Sequence, residues 1–278
     1  MFKKFIAILI ASFMFVQPSQ AAEDIVLTDE EYEQLVQFVN GNVIWTMFHE
    51  TGHALVTLHE IPILAKEEDA VDNLATIIML VEESEQFNEY LKESAYVWFL
   101  MDEFAAKSGE ELNFADEHSL DQQRAFQIVC FLYGASPEKF EKFATLMQMP
   151  EERLANCGYD FSVTYTNWLK VISGFAMQEG DVNQEISIVY HEATPALQGY
   201  QAFMQSNQIL EQIQQYIAVN FKLPEPISLE AQVCDTPNAY WDPQTKQVIM
   251  CYELLAEFER LFMFDIEQAI AEEAAGNS

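Results

Sequence analysis

The sequence predicts an α+β fold that is mostly α-helical. From residue 28 to residue 175, apolar side chains recur at helical spacing, and capping residues, Gly and Pro divide them into segments. After Gly180, short apolar runs bounded by Pro, Asn and Asp predict a few strands among further helices. Half of all residues are apolar, so a sizeable core can form.

Local signals set the expected elements. We predict helices over residues 28–60, 66–81, 85–107, 120–133, from Pro137 onward, 159–175, 195–221 and 253–273, and strands over 185–190, 227–233 and 246–252. Gly41 is a point where the first helix can break, and Pro62 ends that helix. Ser119 is the expected N-cap of the fourth helix, with Gly134 as its left-handed C-terminal residue. The last two strands are expected to pair as a hairpin.

The first 21 residues predict a signal peptide. Lys3 and Lys4 precede an apolar run over residues 5–16, and small residues stand at 19 and 21, where signal peptidase cleaves. We therefore expect an exported protein, periplasmic or secreted, whose mature domain spans residues 22–278. Two packed lobes, about 22–178 and 179–278, are an alternative. No later segment is long and apolar enough to predict a membrane span.

Charge and cysteine content narrow the partners and the compartment. The formal net charge is -32, which disfavours nucleic acids and anionic membrane surfaces as partners. Four cysteines stand at 130, 157, 234 and 251, an even count that is typical of disulfides in an exported chain. Three pairings are possible, and short sequence separation favours Cys130 with Cys157 and Cys234 with Cys251. The sequence predicts no oligomeric state.

The segment His49-Glu50-Thr51-Gly52-His53 predicts a metal site on the first helix. Positions i and i+4 share one helix face, so His49 and His53 can bind the same ion. Glu50 can then act as the general base on a water that the metal activates. This chemistry is typical of zinc-dependent peptide hydrolysis, so we expect one Zn²⁺.

A catalytic zinc needs a third protein ligand, and two candidates compete. His59 lies where a sharp turn after the helix would deliver it, but Val56 occupies the position of the glycine that such a turn uses. If the helix continues, His59 leaves the face of His49 and sits near a helix C-terminus, where its charged form is favoured. Glu68 begins the next helix, and Asp72 four residues later can support a ligand histidine. This arrangement resembles that of gluzincins, so we favour Glu68, with Glu67 as the neighbouring alternative.

Several further strings match one known family in combination. They are Ile61-Pro62, residues 67–75, residues 116–124, Cys130 with Tyr133-Gly134, Arg153 with Cys157, Asn238-Ala239-Tyr240 and Cys251-Tyr252-Glu253-Leu254. Together with the histidine motif, the chain resembles a bacterial family of exported zinc metallopeptidases known mainly as an uncharacterised domain. The resemblance implies a zincin-like fold with an active-site helix and a small sheet or hairpin, and a peptide or protein substrate. In that family the cysteine hairpin precedes the zinc helix, so its position at 227–253 here suggests a circular permutation.

Hydrolysis also requires a group that stabilises the developing oxyanion. His118, just before a predicted helix, is our first choice for this catalytic role, with Arg124 and Tyr252 as weaker ones. A zincin-fold module that binds peptides or proteins without cleaving them is the alternative function. A metal carrier is a weaker one, because the clustering of His, Met and Cys that it needs is missing.

Overall fold

The computed structural model describes residues 25–276. In chain order the elements are α1 (Asp29–Leu58), α2 (Glu67–Val81), α3 (Glu85–Ser108), α4 (Asp121–Ala135), α5 (Pro137–Leu146), α6 (Glu151–Ile172), β1 (Ile186–Tyr190), α7 (Gln198–Ser206), α8 (Ile209–Asn220), β2 (Ile227–Gln232), β3 (Ala239–Asp242), β4 (Gln247–Cys251) and α9 (Tyr252–Gly276). Helices dominate this part of the chain and accompany one four-stranded sheet, which confirms the α+β, mostly α class. The predicted signal peptide, residues 1–21, lies outside the described residues.

Helix α1 lies at the centre of the fold. A capping box starts it: Glu31 N donates to Thr28 Oγ1 over 3.2 Å, and Thr28 N donates to Glu31 Oε2 over 2.7 Å. The helix continues through Gly41 without the predicted break, and nearly all of its residues from Phe38 to Val56 are buried. A helix buried on every side needs neighbours all round. Here α2, α3, α9, β3 and β4 contact it.

Some predicted helix boundaries were wrong for local reasons. Helix α6 starts at Glu151 rather than at residue 159, because Pro150 takes the N-cap position and acidic residues fill the first turn. The single helix predicted over 195–221 is divided into α7 and α8, because Gln208 adopts a left-handed φ of 51° between them. The hydrophobic pattern does not show either boundary, because both depend on the backbone geometry of the capping residue.

Both predicted ends of α4 were also wrong. Its N-cap is Leu120 rather than Ser119, and Leu120 N donates to Gln123 Oε1 over 3.1 Å. Gly134 lies inside the helix and is not a left-handed terminus. A Cβ at Gly134 would stand 2.3 Å from the carbonyl oxygen of Cys157, so glycine is required there because α4 and α6 pack closely.

The sheet corrects the hairpin prediction. Its strand order is β1-β2-β4-β3, where β1 pairs with β2 and β2 with β4 in parallel, and β3 pairs with β4 antiparallel. The two segments predicted as a hairpin, β2 and β4, therefore run in the same direction. Cys234 comes just after the C-terminal end of β2, and Cys251 is the last residue of β4. The disulfide between them therefore joins two C-terminal strand ends at the same edge of the sheet, as parallel strands require. The actual hairpin is β3 with β4, and β3 forms an edge of the sheet beside α1.

Both predicted disulfides are confirmed. The Cα atoms of Cys130 and Cys157 are 5.0 Å apart, and those of Cys234 and Cys251 are 5.5 Å apart. Two bridges are consistent with an oxidising, exported location. Within residues 25–276, no helix combines the length and apolar character that a membrane crossing requires.

Removing the Cys130–Cys157 bridge is expected to destabilise the protein strongly. The bridge joins α4 to α6, and both cysteines are fully buried in the core. A Cys130→Ala/Cys157→Ala variant should lose about 2–5 kcal/mol of unfolding free energy, the usual effect of losing a native disulfide. Urea unfolding followed by circular dichroism measures this loss. A loss below about 1 kcal/mol would contradict it, because even the lower end of the usual range exceeds that value.

Candidate metal centre

The histidine motif lies at a close contact between α1 and α2. A Cβ on Gly52 would stand 2.9 Å from Val71 Cβ, so the glycine between the two histidines permits this contact. The first turns of α2 consequently face His49 and His53. Glu67, Glu68 and Asp72 all come from those turns.

Two histidine nitrogens and one carboxylate oxygen converge at this contact. His49 Nε2 lies 3.2 Å from His53 Nε2 and 3.2 Å from Glu68 Oε2. His53 Nε2 lies 3.3 Å from the same Glu68 oxygen. Zinc bonds to nitrogen and oxygen of about 2.0–2.2 Å in a tetrahedral site place ligand atoms about 3.4 Å apart. The three separations therefore fit a zinc-sized ion bound by these residues.

The outward nitrogens of both histidines face carboxylates. His49 Nδ1 lies 2.7 Å from Asp72 Oδ1, and His53 Nδ1 lies 2.8 Å from Glu67 Oε1. When each Nδ1 donates its proton to its carboxylate, each Nε2 presents a lone pair to Glu68. Three acceptors that face one another repel unless a cation or protons lie between them. The donor set thus has the chemistry of a metal site.

The electrostatics of the cluster also favour positive charge. Burial opposes the charged form of His49, but hydrogen bonds to Asp72 and Glu68 and the nearby carboxylates outweigh burial and raise its pKa to about 9. Burial likewise disfavours ionised Glu68, yet its hydrogen bonds with His118, His49 and His53 hold its pKa well below the usual range. The carboxylates that attract protons to these rings would attract a metal ion in the same way.

Glu50 lies beside the converging atoms but not among them. Its nearest carboxylate oxygen is 3.9 Å from His49 Nε2, and only 7% of the residue is exposed. Burial raises the pKa of Glu50, and the charges of His49 and His53 offset this only in part. The backbone N–H of Trp241, on edge strand β3, favours the ionised form of the Glu50 carboxyl and so also lowers its pKa. Glu50 is therefore a buried, oriented carboxylate with increased proton affinity.

Arg124 fixes Asp72 behind His49. Its Nε donates to Asp72 Oδ2 over 2.8 Å and its Nη2 to Asp72 Oδ1 over 2.7 Å, a bidentate pair buried on both sides. The guanidinium carbon lies 3.6 Å from the ring centroid of Trp98. Burial opposes ionisation of Asp72, but the Arg124 charge holds the pKa of that carboxyl below its usual range. Arg124 is thus committed to Asp72 instead of being free in the cleft.

His118 reaches the cluster from the loop before α4. Its Nε2 lies 3.0 Å from Glu68 Oε2, and its Nδ1 lies 3.1 Å from Asp116 Oδ1. Hydrogen bonding with Glu68 raises the pKa of His118, and 40% of the side chain is exposed. Lys66 Nζ donates to His118 O over 2.8 Å and so ties this loop to the start of α2. His49, Glu68 and His118 also place potential ligand atoms within 4.8 Å of one another.

His59, the rival for the third ligand position, lies elsewhere. It caps the C-terminus of α1 and stacks on Phe175, with ring centroids 4.0 Å apart. Burial lowers the pKa of His59, so the expectation that its position favours the charged form was wrong. Stacking against Phe175, contributed by the segment after α6, explains the difference.

The comparisons with known proteins assign the family. A family model described as "Putative metallopeptidase" (DUF4344) matches residues 7–172 and 190–277, well over half of the chain. The chain belongs to this metallopeptidase family. Searches of curated proteins and of solved structures found no match.

Membership of the metallopeptidase family indicates a protease function, a metal ion and peptide or protein substrates. It confirms the family that the sequence resembles. The match does not bear on the expected permutation, which stays a prediction. The His49, Glu68 and His118 group is consistent with metal binding by a member of this family.

One cleft in this metallopeptidase runs past the cluster. Its volume is about 580 Å³, within the range of small-ligand sites. It follows α1 from Asn42 to Thr57 and passes His49, Glu50 and His53 on the way. The segment 237–243, which contains strand β3, forms one wall.

Several contacts in the metallopeptidase site had no clear signal in the sequence. Glu67, the alternative ligand that the sequence offers next to Glu68, contacts His53 Nδ1. Its position next to Glu68 in an acidic first turn could have suggested that role. The contact of Trp98 with Arg124 and that of the Trp241 backbone with Glu50 join residues far apart in the chain, and no local pattern indicates them.

Proposed function

We propose that the protein is a gluzincin-type zinc peptidase in which His49, His53 and Glu68 hold the metal. The observation that supports this most is the near-equilateral arrangement of the three ligand atoms, with separations of 3.2, 3.2 and 3.3 Å. His53 is preferred to His118 as the second nitrogen ligand because it lies close to both His49 and Glu68. When bound, zinc would supply Lewis-acid polarisation of a carbonyl and would lower the pKa of a water molecule towards neutrality.

Glu50 would move the proton during hydrolysis. Its buried carboxylate has increased proton affinity and can accept a proton from the attacking water. The same carboxyl can then donate that proton to the departing amine nitrogen. The Trp241 N–H would hold the carboxylate in position for both transfers. Asp72 and Glu67 would orient the ligand histidines through their Nδ1 atoms.

The substrate peptide would lie along β3. Cys251 N donates a backbone hydrogen bond to Asn238 O, and this bond determines which residues of β3 are hydrogen-bonded to β4. Because inward and outward groups alternate in an antiparallel pair, the backbone groups of Ala239 and Trp241 point away from β4. The Trp241 N–H faces Glu50. The backbone N–H and C=O of Ala239, which also point away from β4, would therefore bind a peptide as an added strand.

Purified protein tests this function directly. We expect one zinc ion per chain by elemental analysis and new peptide termini when the protein is incubated with a mixture of peptides. Removal of the metal with a chelator should abolish cleavage, and added zinc should restore it. Bound zinc without any new termini would instead indicate the non-catalytic binding module.

His118→Ala is expected to slow catalysis without removing the metal. His118 Nε2 points to Glu68, and Asp116 orients the ring from the other side. In the reaction the Nε2 proton would stabilise the developing oxyanion, and loss of such a donor lowers kcat about 10²–10³-fold. Zinc content and kcat, measured on the same preparation, check this expectation. Loss of zinc in the variant would show that His118 is a ligand instead.

A further inference from the structure

The apolar end of the cleft is formed by helices that pack without filling the space between them. Leu254, Phe258 and Phe262 share one face of α9 at spacing i, i+4, i+8. At one end of this face, Phe262 contacts Phe38 of α1 with ring centroids 5.6 Å apart. At the other end, Leu254 and Phe258 line the cleft, and Leu254 is the more exposed of the two.

Helix α1 offers small or folded-back side chains where a bulky partner would be expected. Asn42 is buried, and its Nδ2 donates to Phe38 O over 2.9 Å, so the side chain bends onto its own helix. Thr46, one turn later, has a short side chain that is partly exposed. Both residues line the same cleft as His49 and Glu50. Residues of α1 and α9 thus line an apolar recess of the cleft next to the metal centre.

The opposite wall of the recess is rigid. Trp45 and Trp98 meet edge to face with ring centroids 5.9 Å apart. Trp45 Nε1 donates to Thr76 Oγ1 over 3.2 Å, and Arg124 covers one face of Trp98. A recess with such fixed walls will not collapse when empty, so its shape selects what enters it.

We infer that this recess is a specificity pocket that takes a bulky apolar side chain, aromatic or large aliphatic, at one fixed position next to the scissile bond. The inference rests on the proposed peptidase function. The occupant is a substrate side chain because the recess is continuous with the space beside Glu50. Thr46 and the α9 residue Leu254 are the specificity-determining residues, since both line the cleft and both are partly exposed in it.

The test compares peptide pairs that differ only in Phe or Ala at one position. Cleavage sites found in a peptide mixture should share a bulky apolar residue at one position, with Phe preferred to Ala at least about tenfold in kcat/KM. Thr46→Leu should fill the recess and remove that preference. Met101 lines the same cleft from α3, so Met101→Ala should widen the recess and admit Trp more readily. The matched control is Thr145→Leu, at an exposed site on α5, which should keep the wild-type preference.

The outcomes separate this inference from the proposed function. Cleavage without a fixed bulky position, or an unchanged preference in Thr46→Leu, would overturn the pocket while the peptidase function stands. If wild type cleaves nothing, the proposed function fails. The pocket is then tested by peptide binding, measured from the tryptophan fluorescence of Trp45 and Trp98. If wild type binds the Phe peptide more tightly than the Ala peptide, and Thr46→Leu loses this difference, the result supports the pocket. Equal binding of the two peptides would refute it.

Discussion

Glu50→Gln is expected to abolish measurable peptide cleavage while the protein keeps its zinc. Gln has nearly the same shape as Glu but cannot accept a proton, so only base catalysis is lost. Loss of a general base usually lowers the rate about 10²–10⁴-fold. Because Glu50 is not among the three converging atoms, its replacement should leave the ligands in place. Burial also disfavours the charge of Glu50, so the variant should be no less stable than wild type.

Paired measurements of zinc content, kcat and thermal unfolding check this prediction. Glu138→Gln, at an exposed position on α5, makes the same chemical change away from the cleft and should retain full activity. If Glu50→Gln cleaves peptides at the wild-type rate, Glu50 is not the base. If the variant loses zinc, Glu50 takes part in holding the metal.

The elements and residues that depend on neighbours in sequence could be predicted. The start of α1 at its Thr28 capping box and the approach of His49 to His53 both follow from helical geometry over a few residues. The position of Glu68 beside them also followed, because only a short connection separates α1 from α2. The cysteine pairs were predictable for the same reason, since both bridges join residues close in sequence.

Contacts between distant segments could not be predicted in this way. The parallel pairing of β2 with β4 depends on β3 taking the hairpin position, and the apolar pattern of short strands does not distinguish these arrangements. From the sequence, Arg124 is a candidate oxyanion stabiliser because its charge suits that role. Its bidentate pairing with Asp72 depends on how α4 packs against α2, which no local signal contains.

Arg124→Met is expected to destabilise the protein by about 3–5 kcal/mol. The variant would leave the buried Asp72 carboxylate with only His49 beside it, and removing one member of a buried ion pair is costly because the other charge stays buried. Asp72→Asn/Arg124→Met removes both charges, so it should be less destabilised than Arg124→Met alone. Asp72→Asn by itself should weaken zinc binding about 10–100-fold, since the carboxylate orients His49.

Urea unfolding of the metal-free proteins gives the free energy of unfolding of each variant. Competition with a chromogenic chelator gives the zinc affinities. Arg153→Met is the matched control, because Arg153 pairs with Asp160 at a half-exposed site and such pairs contribute about 1 kcal/mol or less. Additive effects of the Asp72 and Arg124 changes would mean that Arg124 acts independently of Asp72. A strong favourable coupling, together with the zinc defect of Asp72→Asn, would mean that Arg124 supports the metal centre by neutralising the carboxylate that orients His49. The energetic link would then run from Trp98 on α3, through the guanidinium on α4 and the carboxylate on α2, to the ligand on α1, so that the packing of four helices determines the geometry of one imidazole.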